Sequence, residues 1–270
     1  MTTYDLTETS LASGRPVQLY RFTMQTRLWH YTSADRPVAH SGASYAPLAI
    51  SDDGIRQTGQ SSADNLKITA PADFDVAALY RHTPPGHQMS VAIFARHYGI
   101  DDFVTIWAGE VLACSWPEAD RCELTCSPLT ARMDKTGLRL SWERGCPHVL
   151  YSHACGVSRE QYRTDLTVQD LDGSALGCDL AAAQPDGTFT GGLIEWQTRG
   201  WWVERRTIEA HAGRVLRLLG GTSGISVGQA IQAYPGCRQT VESCKRFGNL
   251  LNYGGVPHLC GVSPYGRNIF

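Results

Sequence analysis

Two pairs of cysteines, far apart along the chain, set the tightest condition on its fold. Cys146 and Cys155 stand in a C-x8-C frame, and Cys237 and Cys244 in a C-x6-C frame. Four thiolates are enough to enclose one inorganic centre. If they act together, the chain must return residue 237 to residue 155 around everything between them. In a continuous helix Cys237 and Cys244 would lie about 10 Å apart, too far for shared ligation. Pro235-Gly236 offers a way out, because it lets Cys237 sit in an entering loop and fold back. Val241, Cys244 and Phe247 then share one apolar helix face. Pro147 pushes Cys146 toward extended backbone, and Gly156 permits close approach beside Cys155. Arg144, His148, His153, Arg238, Lys245 and Arg246 flank the thiols in sequence and would offset the negative charge of a thiolate-held cluster. Spacing alone leaves three readings open: an iron–sulfur cluster, a zinc ion, or four buried or free cysteines. Cys260 is the reserve ligand, and Cys178 is spare.

The total of nine cysteines is odd. No basic stretch followed by an apolar run opens the sequence, so no export signal is expected. The protein is therefore expected to be made in a reducing cytoplasm, where metal ligation or simple burial explains thiols better than disulfides do. A net charge of -2 gives no basic field for a nucleic-acid backbone, so no nucleic-acid partner is expected. No run of 18 apolar residues predicts a membrane-spanning helix.

Short strands predominate, so the expected fold class is mainly β: one or two barrel or sandwich units plus a small irregular and helical C-terminal region. Val17 to Met24 partly alternates, and Leu28 to Thr32, Leu66 to Ile68, Val91 to Ala95 and Phe103 to Ala113 read as strands. Ser41-Gly42, Asp53-Gly54 and Pro84-Pro85-Gly86 supply turns. Asp73 to His82, between Pro71 and Pro84, predicts a short helix. The segment CELTC sets Cys122, Leu124 and Cys126 on one strand face, and these two thiols, with Cys114, read as small buried hydrophobes. Thr188 to Gly192 and Leu193 to Trp196 read as strand and turn, Trp201 to Arg206 and Val215 to Leu219 as strands, and 222–236 as a Gly/Ser-bearing connection. The resulting division is 1–140, an N-terminal barrel-like unit; 141–163, the first cysteine segment; 164–235, a second β unit; and 236–270, the helical cysteine motif and tail.

The strings GCPHVLYSHACG and GCRQTVESCKRFGNLLNYGGVPHLCG resemble the C-terminal portion of phage tail-tip hub and adaptor proteins, the family of the minor tail protein L of phage lambda and of gene transfer agent hubs. The family pattern places a C-x8-C-G pair before a C-x6-C pair and then F-x-N-x-x-N-[FY]-G-G-x-P-H. Cys146, Cys155-Gly156, Cys237 and Cys244 match the thiols, and Phe247, Asn249, Asn252, Tyr253, Gly254, Gly255, Pro257 and His258 match the run that follows. The likeness covers roughly residues 145 to 260, and Cys260 departs from it. It implies a trimeric virion component at a long-tailed phage's tail tip, assembled in the host cytoplasm. Such a trimer would join the distal tail ring to the central tip or fibre protein, with the tape measure protein as a further neighbour. It also implies a [4Fe-4S] cluster on the four matched cysteines, with Arg238, Lys245, Arg246, Phe247, Asn249 and Asn252 around them; as the sequence ends at Phe270, no extra C-terminal domain is expected. The alternative cofactor is zinc.

Enzymatic readings are thinner. His148 or His153 beside Cys146 or Cys155 would suit a cysteine hydrolase, but no orienting partner is evident. An iron–sulfur oxidoreductase would need an open iron, which four cysteines do not leave. HExxH and GxxxxGK[ST] are both absent, and Gly220 to Gly224 reads as a flexible connection. Asp52-Asp53 and Asp101-Asp102 read as turn acids rather than a catalytic pair. Glu204, Arg205 and Arg206 beside Trp201 and Trp202 read as a solvated strand face. A structural, non-enzymatic role is expected.

Overall fold

Residues that alternate without a clean polar face build the first of two sheets. A computed structural model describes residues 3–10, 14–56, 58, 64–81, 84–133, 137, 140–198 and 202–260. The chain divides into two units, Met1–Thr136 and Gly137–Phe270.

The first unit runs α1 (Thr3–Glu8), β1 (Pro16–Met24), β2 (Arg27–Thr32), β3 (Val38–His40), β4 (Ala43–Pro47), β5 (Ser51–Asp52), β6 (Leu66–Pro71), α2 (Asp75–Ala78), β7 (Met89–His97), β8 (Val104–Glu118) and β9 (Arg121–Pro128). Its sheet has the order β3-β4-β2-β1-β7-β8-β9-β6-β5, with every pairing antiparallel except β2 with β4. Strand β1 is apolar on both faces because both are covered. Val17 and Leu19 pack with Val38, Tyr45 and Phe94, while Phe22 meets Phe74 edge-on at 5.5 Å and is fully buried. On β9, Cys122, Leu124 and Cys126 are all fully buried, as their alternation predicts. The helix α1, unforeseen in a region read as strands, is held by buried His97: Arg15 N–H donates to Nδ1 at 3.0 Å and Nε2 meets Glu8 at 2.7 Å.

The second unit runs β10 (Thr164–Thr167), β11 (Asp170–Asp172), β12 (Ala175–Gly177), β13 (Leu193–Gln197), β14 (Val203–Ala212), β15 (Val215–Leu218), β16 (Ala230–Tyr234) and α3 (Val241–Arg246), with 3-10 turns at Arg159–Tyr162, Asp179–Ala183 and Leu250–Asn252. The sheet order is β10-β16-β13-β14-β15-β12-β11. Leu166, Phe189, Ile194, Ile208, Leu216 and Ile231 are among the residues of its core. The mainly-β expectation holds.

Three local readings are corrected. The helix expected over Asp73 to His82 shrinks to Asp75–Ala78, because Pro71 closes β6 opposite Arg121; His82 lies outside the described residues. Thr188 to Gly192 forms successive tight turns instead of a strand, with Thr190 N–H to Gly187 O and Gly192 N–H to Phe189 O. The presumed connection 222–236 contains β16, which pairs with both β10 and β13. Trp201 also lies outside the described residues.

Candidate metal centre

Both cysteine segments lie in the second unit, and irregular backbone brings each thiol to its place. The segment after Gly145 is built of turns. Tyr151 takes φ of 65° and Gly156 of 74°, a conformation that glycine adopts at least cost. Cys155 N–H donates to Ser152 Oγ at 3.3 Å, and Gly156 N–H to Ser152 O at 2.9 Å. In the second segment, β16 ends at Tyr234 and Pro235-Gly236 carries Cys237 into coil. Gln239 reverses the chain at φ 59°, and Thr240 caps α3 by accepting from Ser243 N–H at 3.2 Å. Cys244 then stands buried on that short helix.

Hydrogen bonds to main-chain carbonyls tie the segments to each other. Cys146 N–H donates to Gln239 O at 2.8 Å, and Tyr253 O–H to Arg144 O at 2.7 Å. Asn249 Nδ2 donates to Cys155 O at 2.6 Å, and Tyr151 O–H to Pro235 O at 2.9 Å. Tyr151 and Tyr162 pack edge-on against Phe247.

The result is one pocket lined by Cys146, Cys155, Cys237 and Cys244 together with Leu150, Val157, Phe247, His148, Thr240, Asn249 and Asn252. Donors aim at sulfur: Gln239 N–H lies 3.3 Å from Cys237 Sγ, and Asn249 Nδ2 lies 3.6 Å from Cys155 Sγ. Asn252 Nδ2 donates to Asn249 Oδ1 at 2.7 Å, which fixes the orientation of that amide. The Cys244 thiol donates to Asn249 O at 3.1 Å. Burial pushes this thiol up, and charge on Cys146, Cys237 and Cys155 pushes it further. Four thiolates in one apolar pocket therefore oppose one another unless a cation joins them. The donor set suits a thiolate-bound group: four sulfurs, N–H groups directed at two of them, and apolar walls. Among the described residues, no three His, Cys, Asp or Glu side chains converge closely enough to hold a single ion.

Of the residues expected around the thiols, Phe247, Asn249 and Asn252 line the pocket. Arg246 instead donates to Gly236 O at 2.6 Å and lies over Phe247, while Arg238 engages Ser243 through its main-chain N–H. Lys245 is exposed, as is Cys260, and neither lines the pocket. Gln239 and Tyr151 are contributors that sequence reasoning missed, and Tyr253, matched within the family run, had been given no role there. The one available signal was the Tyr253-Gly254-Gly255 run, where the glycines admit His148 and the backbone of Gly145.

The weaker constellations resolve into local structure. Asp52 accepts from Tyr20 O–H and Gly54 N–H, and Asp53 accepts from Lys67 N–H. Asp101 meets Arg96 at 3.5 Å, and Asp102 accepts from Tyr4 N–H. Trp202 Nε1 donates to Glu204, Arg205 meets buried Glu195 at 3.5 Å, and Arg206 donates to Gly221 O. No helix among the described residues is long and apolar enough to cross a membrane.

Residues 15–158 match the family described as "Baseplate hub protein, N-terminal attachment domain". The chain belongs to this phage baseplate hub family. Residues 187–262 of the hub chain, which hold the second cysteine pair, match a further family described as "Phage conserved hypothetical protein BR0599". An uncharacterized protein of Xylella fastidiosa (strain 9a5c) is 25% identical over 175 residues, which span 59% of the hub chain and 36% of that protein. A chain in the structure titled "Virion of native gene transfer agent (GTA) particle" shares the fold with a TM-score of 0.78 at 17% identity, over 99% of the hub chain and 96% of its own length. The hub chain is a structural component of the phage tail baseplate and so of the virion.

Proposed function

We propose that this hub chain works without catalysis, as a trimeric adaptor between the six-fold distal tail ring and the three-fold central tip protein, with the tape measure protein as a further neighbour. We propose further that a [4Fe-4S] cluster staples its second unit through Cys146, Cys155, Cys237 and Cys244. The observation that carries the cluster reading is the meeting of all four thiols in one pocket from segments some eighty residues apart. Bound there, the cluster would supply iron–sulfur bonds that cross-link the two segments. By analogy with a disulfide, closing the loop between Cys155 and Cys237 contributes about 4–5 kcal/mol, a large share of the ~5–15 kcal/mol typical of a domain.

The chain's division into two units, each with its own sheet, supports the symmetry reading. Three chains would offer six β units, one for each ring subunit, while keeping three-fold symmetry toward the tip. Light scattering on purified protein should give the mass of a trimer, alone or on addition of the ring protein. A monomer under both conditions would refute the adaptor arrangement. A colourless protein with stoichiometric zinc would replace the cluster by an ion.

A further inference from the structure

Two asparagines just beyond α3 meet the first cysteine segment at Cys155. Asn249 is anchored by its own backbone, whose N–H donates to Cys244 O at 3.1 Å. Its side-chain Nδ2 faces Cys155 twice, donating to the carbonyl oxygen at 2.6 Å and lying 3.6 Å from Sγ. A carbonyl oxygen only accepts, so the amide must present its NH2 end to Cys155. Asn252 fixes the opposite end, because its Nδ2 donates to Asn249 Oδ1 at 2.7 Å. Gly156, next after Cys155, leaves room for this arrangement: a Cβ there would lie 3.0 Å from Asn252 Nδ2.

The pocket sulfurs are not treated alike. The main-chain N–H of Gln239 lies 3.3 Å from Cys237 Sγ, whereas Cys244 Sγ faces a carbonyl, Asn249 O, at 3.1 Å. Among the described residues, Asn249 is the one side chain that donates to a sulfur of the pocket. A group joined to all four thiolates would therefore meet N–H dipoles beside Cys155 and Cys237 and a carbonyl dipole beside Cys244.

We propose that the Asn249 amide, held in place by Asn252, raises the reduction potential of the four-cysteine centre, an inference that rests on the cluster reading above. The redox step is the entry of one electron from a small-molecule reductant such as dithionite, with no bond formed or broken. That electron adds one negative charge, part of which falls on the cysteine sulfurs. An N–H dipole directed at Cys155 Sγ offsets this charge, and does so more strongly in the reduced form than in the oxidised one. The apolar walls Leu150, Val157 and Phe247 keep water from screening the dipole. Asn249 thus acts on the ligand directly. Asn252 is a positioning residue: without it the amide is held at one end only. A purely structural pair would change resistance to unfolding and leave the potential where it was.

The test is a redox titration of the full chain purified without oxygen, with visible absorbance read against solution potential and iron measured in each sample. Asn249→Ala should be reduced at a lower potential than the wild type. Asn252→Ala should shift in the same direction by a smaller amount, and the double variant should match Asn249→Ala instead of falling further. Brown variants that titrate together with the wild type overturn the inference and leave the cluster reading intact. So does a double variant whose shift is the sum of the two single shifts. Colourless wild-type protein sinks the inference and the cluster reading together. Should Asn249→Ala fail to fold or to take up iron, Asn252→Ala still decides, because an unmoved midpoint there overturns the inference.

Discussion

A Cβ on Gly255 would overlap the backbone of Gly145, whereas one on Gly254 would meet the ring of His148. A ring can shift and a carbonyl held in a turn cannot. Gly255→Ala should therefore cost about 1–3 kcal/mol and exceed the loss in Gly254→Ala when both are unfolded in urea. Tyr253→Phe removes the bonds to Arg144 O and Gln239 O and should cost about 1 kcal/mol in the same assay. Buried thiols add a pH signature. Burial pushes Cys178 up to about 11 and Cys126 up to about 12. The unfolded chain then releases these protons first as pH rises. Their stabilisation is complete below the ordinary thiol range, near 9, and is lost as pH climbs toward 11 to 12. Urea midpoints should fall over that window, and fall less steeply in Cys178→Ala. That the four cysteines belong together could be read from the family pattern, whereas their spacing alone left simple burial equally open; the structure adds that they line one pocket. Gln239 could not be read in advance, since its carbonyl accepts from the distant Cys146 N–H, and Tyr253, although within the family run, could not be given a role, since its hydroxyl reaches Arg144 O across 109 residues.

At the scale of elements, legibility followed burial. Strand β9 was readable because one of its faces is fully enclosed, and alternation reports such a face directly. Strand β1 blurred that signal because both its faces are covered. Strand β16 was missed because Ala230 to Tyr234 is short, carries two alanines and follows a run of Gly and Ser residues. It is strand because β10 and β13 offer hydrogen bonds on both sides, a tertiary condition that overrides weak local preference. Ile231 at its centre is 2% exposed. Ile231→Ala should cost about 2–5 kcal/mol, while exposed Leu251→Ser should change stability by about 0.5 kcal/mol or less, both read from denaturant titration.

For the molecule as a whole, a phage hub chain with two β units has to hold its second unit together around a cysteine-lined pocket in which short turns replace regular structure. Four thiols gathered there repel as thiolates and add little as neutral groups, so their convergence makes physical sense when a metal centre joins them. The most direct test is iron and sulfide content, with the visible absorbance, of full-length protein purified without oxygen. The account predicts brown protein carrying about four irons and four sulfides per chain, with colour and iron lost together in Cys237→Ser and Cys244→Ser. Colourless wild-type protein, free of iron yet folded and as stable as the two serine variants, would contradict it.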